Sequence, residues 1–220
     1  MRPNAAALLL ALLVVAAGVC AVGTQGQKAR SVTPVPKSPP AELAGQKAFG
    51  VKTAPIRIDE FTDFECPACR ALFMETLRPL MDDYVSSGKV YLVHHDFPLP
   101  AHPYSRPAAY YADAAAALGR FEPVEQALFV NQPGWDVKGN ITPYLAGVLS
   151  PAELKKVEAL AGTKEIASAV QSDVALGQQF DVRYTPTMFV TSHGRRLPSP
   201  IVGVVSYPIL RNYLNALLRQ

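Results

Sequence analysis

Glu65-Cys66-Pro67-Ala68-Cys69-Arg70 sets two thiols two residues apart, at the junction of two segments with different periodicity. Upstream, Ile56-Arg57-Ile58-Asp59-Glu60-Phe61 alternates apolar positions and carries a β-branched pair, the pattern of a short strand. Downstream, residues 71–81 have helical spacing, with Leu72, Leu77, Leu80 and Met81 as the expected buried positions. Cys66 thus falls at a helix N-terminus, with Pro67 at the first helical position, where a missing N–H does no harm. Unpaired amides and the positive end of the helix dipole favour an anion there, so the Cys66 thiol ionises readily. Cys69 lies one turn further on, on the same side and less exposed. Cys66 is then the attacking thiolate and Cys69 the resolving thiol of a small, reversible disulfide.

Other uses of a CxxC step fit less well. A closed zinc site needs four ligands, so His94 and His95 would have to complete it, and no metal is expected. A c-type haem needs His after the second cysteine, and position 70 is Arg. A purely structural disulfide would close too short a loop to stabilise the fold much. Redox chemistry, with the Cys66–Cys69 pair itself in place of a cofactor, is the reading.

The chain has 220 residues and a net charge of +3, with no basic cluster or interleaved aromatic stripe to suggest nucleic acid. Met1-Arg2-Pro3-Asn4 precedes an uncharged apolar run from Ala5 to Val22, so residues 1–23 read as a signal peptide or a retained membrane anchor. Residues 24–46 carry Pro34, Pro36, Pro39 and Pro40 and almost no large apolar groups, the composition of an extended linker. A tether has more use for such a segment than a cleaved chain, which favours the anchor. The expected location is extracytoplasmic, in the periplasm or cell envelope, where oxidising conditions suit a two-cysteine protein that makes or edits disulfides.

Within residues 47–220, Val90-Tyr91-Leu92-Val93-His94-His95 reads as a second strand, completing a βαβ unit with a parallel pair. Residues 105–180 are then nearly all helical, with segments over 107–118, 121–130, 141–149, 151–160 and 164–180. Ser150-Pro151-Ala152-Glu153 is a capping box. Residues 187–190 and 201–205 read as a hairpin about a turn at 192–194, and 207–218 as a closing amphipathic helix. Alternation puts Ile56, Ile58 and Glu60 on one strand face, so Glu60 continues an apolar surface beneath the cysteine helix. A carboxyl buried there has a raised pKa and can take the proton of Cys69. His94 and His95 fall on opposite faces of their strand and read as structural.

CPAC after a strand, the phrase Glu60-Phe61-Thr62-Asp63-Phe64-Glu65 before it, and Thr185-Pro186-Thr187 opening a late strand resemble the DsbA-like thiol-disulfide oxidoreductases of the thioredoxin superfamily. The resemblance covers roughly residues 47–220 and implies an α/β thioredoxin-like fold with an inserted helical domain. It implies that Pro186 is a cis-proline facing the disulfide. Thr185 would lend its backbone to an incoming peptide as an added strand, with Phe64, Pro67 and Ala68 on the substrate side. The implied partners are cysteine-containing exported proteins and a membrane re-oxidase, with the protein acting as a monomer. Position 68 is Ala where the strong oxidants carry imidazole, and Asp63 and Glu65 add negative charge nearby, so a weaker oxidant is expected. An isomerase or reductase is the enzymatic alternative; a non-catalytic metal-binding or chaperone-like module is the alternative of another class.

Overall fold

The computed structural model describes residues 45–220. The signal peptide or anchor expected over residues 1–23, and all but the last two residues of the expected linker, lie outside the described residues. Among the described residues no helix is long and apolar enough to cross a membrane.

The fold is built on the expected βαβ unit. Strand β2 (Ile56–Thr62) and strand β3 (Val90–Asp96) pair in parallel, with Glu60 opposite His94 and Thr62 opposite Asp96. The connection begins with α1 (Pro67–Leu72), widens into a π-helical turn at Phe73–Leu77, narrows in α2 (Arg78–Leu80) and widens again at Met81–Val85. Pro79 lies inside this run and has no N–H with which to close an α-turn, and the ladder opens on both sides of it. The buried positions shift accordingly: Phe73, Thr76 and Tyr84 join Leu72, Leu77 and Leu80 in the core, while Met81 is only half-buried.

Strand β1 (Ala48–Phe49) flanks β3, β4 (Thr187–Ser192) runs antiparallel to β2, and β5 (Arg195–Arg196) pairs outside β4, giving the order β1-β3-β2-β4-β5. The expected antiparallel pairing of 187–190 with 201–205 forms, Thr187 opposite Val202 and Met188 opposite Ile201, but it is shorter than expected and is not closed by the turn at 192–194. The turn at His193 and Gly194 leads into β5, and β6 (Ile201–Val202) pairs with the other end of β4. Pro198 and Pro200 lack the donors that a continuous return strand needs, and Gly203, at φ 79°, ends β6 after two residues.

Between β3 and β4 stands the helical block: α3 (Ser105–Ala116), α4 (Phe121–Val130), the short α5 (Gln132–Trp135) and α6 (Thr142–Leu145), then α7 (Pro151–Ala161) and α8 (Lys164–Gln179). The capping box forms, Ser150 Oγ accepting from Glu153 N–H while the Glu153 carboxylate accepts from Ser150 N–H. Helix α9 (Tyr207–Leu217) closes the chain. One core joins Ile56, Ile58, Leu92, Met188 and Val190 to Leu72, Leu77, Leu210 and Leu214 and extends into the helical block. A smaller one gathers Phe61, Phe97, Val174, Val182 and Phe189.

Lys47, just before β1, is 1% exposed, and its ammonium lies 2.5 Å from Asp96, 2.7 Å from Asp113 and 2.6 Å from Asp173. One cation thereby ties the chain entry to β3, α3 and α8.

Candidate active site

Extended backbone at Cys66 (φ −75°, ψ 119°) makes it the N-cap of α1, and Pro67 follows at the first helical position. The two sulfurs differ in setting. Cys66 is 7% exposed at the surface end of the helix, and its thiol reaches the Thr185 carbonyl at 3.5 Å. Cys69 is fully buried, and its sulfur accepts from the Asp63 N–H at 3.4 Å. The Cys66 pKa falls to about 5, chiefly because the Cys69 thiol hydrogen-bonds to it; backbone amides of Cys69 and Ala68 assist, and burial opposes. Burial, and then the neighbouring Cys66 thiolate, push Cys69 the other way. One sulfur is held ready as thiolate and the other is held as thiol.

The Thr185–Pro186 peptide is cis, and both residues are buried beside Cys66. Pro67 is exposed and Ala68 half-buried, leaving that edge of the cysteine loop open to a partner chain. Phe64 is not on that edge. It is 1% exposed, its ring stacked on His94 at 5.2 Å and tilted against Phe129 at 4.9 Å, so the expectation of a substrate-facing side chain is corrected to a core role.

Glu60 is 2% exposed, and burial, with the Glu125 charge adding, raises its pKa to about 7 while His94 opposes. One carboxyl oxygen, Oε1, has no hydrogen-bond partner, and neither has the buried hydroxyl of Thr62, two residues along the same strand face. His94 is also buried, with Nδ1 on Glu125 at 2.9 Å and Nε2 on Asp96 at 3.2 Å. Burial disfavours its charge, but Asp96 and Glu125 outweigh this and raise its pKa to about 10. On the opposite face His95 joins Asp173 and Asp59, and Asp59 also pairs with Arg57.

Asp63 and Glu65, expected to repel a thiolate at Cys66, are both engaged. The buried Asp63 carboxylate accepts from the N–H groups of Glu65 and Leu99, each at 2.8 Å, and from the His102 ring at 2.8 Å. Glu65 accepts from Tyr104 N–H at 2.6 Å. An imidazole is therefore present near the redox turn, delivered by the loop after β3 rather than from position 68. Gln132, from α5, donates to the carbonyls of Phe64 (2.6 Å) and Cys66 (3.1 Å), so the helical block holds the turn from the other side. Sequence reasoning missed His102, Gln132 and Thr62; nothing in their local pattern separates them from ordinary loop, helix and strand residues.

A dithiol at a helix N-terminus, beside a proline loop on a mixed sheet, defines a thiol-disulfide redox protein. The family model described as Thioredoxin matches residues 43–200, and the chain belongs to that family as a DsbA-like thiol-disulfide oxidoreductase. It is 25% identical over 153 residues to the probable disulfide bond formation protein D of Bacillus anthracis, covering 67% of this chain and 70% of that protein. Its fold matches that of alpha-DsbA1 from Wolbachia pipientis with a TM-score of 0.68 at 18% identity, over 78% of this chain and 89% of that one. The oxidised form of BdbD from Bacillus subtilis matches with a TM-score of 0.63 at 22% identity, over 80% and 94% respectively.

Proposed function

We propose that this protein is an extracytoplasmic oxidant of protein dithiols, working through a Cys66–Cys69 disulfide. The observation that carries the reading is the asymmetry of the two sulfurs, Cys66 slightly exposed and stabilised as thiolate, Cys69 fully buried and kept as thiol. A substrate thiolate attacks Cys66 Sγ, the Cys66–Cys69 bond breaks, and Cys69 leaves as a thiolate. The Glu60 carboxyl supplies the proton that neutralises it in the dry interior. A second substrate thiolate then attacks the substrate sulfur of the mixed disulfide and releases Cys66 as its stabilised thiolate. Two electrons pass from substrate to protein, and the substrate gains one disulfide.

Thr185 and Pro186 border Cys66 where an extended substrate segment would lie, which supports a positioning role for both. In re-oxidation the flow reverses. The Cys66 thiolate attacks the disulfide of a membrane re-oxidase, and Cys69, its proton passed to Glu60, resolves the mixed disulfide. Similarity to a Bacillus disulfide bond formation protein supports the oxidising direction.

The test is oxidation of a reduced two-cysteine peptide under a glutathione disulfide buffer. Wild type should accelerate it, Cys66→Ser should abolish the acceleration, and Cys69→Ser should accumulate a mixed disulfide at Cys66. Equal activity in Cys66→Ser would sink the reading.

A further inference from the structure

Thr62 carries a buried hydroxyl with no hydrogen bond of ordinary geometry, a state that native interiors rarely leave unexplained. Its surroundings supply a reason. Strand alternation puts Thr62 on the face of Glu60, whose Oε1 is also without a partner. The buried Cys69 sulfur sits 3.4 Å from the N–H of Asp63, the amide joined directly to Thr62. The Thr62 hydroxyl favours the charged form of both neighbours, the Glu60 carboxylate and the Cys69 thiolate.

We infer that Thr62 is the proton bridge of the redox centre, its hydroxyl carrying the proton between Cys69 and Glu60. This rests on the reading of Glu60 as the acid and base of the exchange. A threonine hydroxyl has one donor and two acceptor positions, so it can accept the Cys69 proton as it gives its own to the carboxylate. Run backwards, Glu60 protonates the hydroxyl and the hydroxyl protonates the departing Cys69 thiolate. Atoms and charge balance in each direction, and Thr62 ends as it began. The other titratable groups facing these three are already occupied. From β3, the Asp96 carboxylate opposite Thr62 binds Lys47 and His94, while His95, on the other face of the sheet, bonds Asp173 and Asp59. From α4, Glu125 binds His94, and β4 places uncharged Met188 opposite Glu60.

The experiment measures resolution of a mixed disulfide between Cys66 and a cysteine peptide, by stopped flow from pH 5 to 9, in the full chain. Thr62→Val keeps the shape and removes the hydroxyl. It should slow resolution about tenfold and flatten the inflection due to Glu60, a modest share of what positioned proton transfer supplies. Thr62→Ser should restore both rate and inflection, a rescue that mere packing does not predict. If Val is not accommodated and the variant unfolds, Thr62→Ala read the same way replaces it. A Thr62→Val profile matching wild type, beside a slowed Glu60→Gln, overturns the bridge and leaves Glu60 standing. A Glu60→Gln profile matching wild type overturns the reading of Glu60 and the bridge with it.

Discussion

Glu60 and His94 face each other across the parallel pair β2–β3, and neither ring nitrogen of His94 is free to exchange a proton with that carboxyl. His94 is held between Asp96 and Glu125, so it works as a fixed positive charge beside Glu60. Glu125, from the helical block, works on the same carboxyl with the opposite sign. The helical block therefore reaches beneath the cysteine helix and affects the acid there.

This arrangement predicts opposite responses to two neutral substitutions. His94→Gln removes the charge that favours the Glu60 carboxylate, so the resolution inflection should move to higher pH. Glu125→Gln removes the charge that disfavours it, and the inflection should move to lower pH. Each shift should be on the order of one pH unit. Shifts in the same direction, or none, would show that His94 and Glu125 only pack.

A second prediction concerns driving force. A more stable Cys66 thiolate favours the dithiol and makes the disulfide more oxidising. The reduction potential should fall between about −270 mV, as in thioredoxin, and about −120 mV, as in DsbA. Burial disfavours a charge on His102, but the hydrogen bond to Asp63 and then the charges of Asp63, Cys66 and Glu65 outweigh it and raise the ring's pKa, favouring the imidazolium beside Cys66. His102→Gln should therefore shift the glutathione equilibrium about threefold towards the disulfide, and Ala68→His should shift it towards the dithiol. A potential below that of thioredoxin would point to a reductase.

Stability should depend heavily on Lys47. Lys47→Met leaves the carboxylates around it without their shared cation, and breaking a buried pair costs about 3–5 kcal/mol. At roughly 2–4 °C per kcal/mol for a domain of this size, the melting temperature should drop on the order of 10 °C. Wild type should also lose stability in acid. Burial disfavours the Asp59 carboxylate, but hydrogen bonds from His95 and Arg57 outweigh it and lower its pKa from 3.8 to about 2. Its contribution is whole above pH 3.8 and disappears as the pH falls through 2. Thermal melts between pH 7 and 2 measure both effects.

The apolar run from Ala5 to Val22 carries a prediction of its own. If it is retained as an anchor, the protein should sediment with membranes and resist extraction by alkali or high salt. A mature chain beginning near Val22 or Thr24 would mean cleavage instead.

Much of the redox centre was legible because it is local. Cys66, Pro67 and Cys69 announce themselves by spacing, and alternation along β2 placed Glu60 on the buried face. The same alternation reaches Thr62, yet a threonine in a strand looks like any β-former until its hydroxyl is found without a partner. Phe64 misled because it lies in the turn, where strand periodicity no longer says which way a ring points. His102, Glu125 and Gln132 come from 31 to 68 residues further along the chain than the groups they bind, Asp63, His94, Phe64 and Cys66, and only the folded chain, through the loop after β3 and the helical block, brings them in. Lys47 next to a proline-rich linker has the look of a solvated charge; three carboxylates from other elements make it a core residue.

The two π turns at Phe73–Leu77 and Met81–Val85 bear on how such a chain can change length. Each closes on the fifth residue rather than the fourth and so holds one residue more than an α-turn. Deleting a single residue within either would return that turn to α-geometry and leave the flanking residues on their original faces. Insertions and deletions are usually confined to surface loops, but here a helix that begins with the attacking cysteine has two internal positions where a residue can be gained or lost.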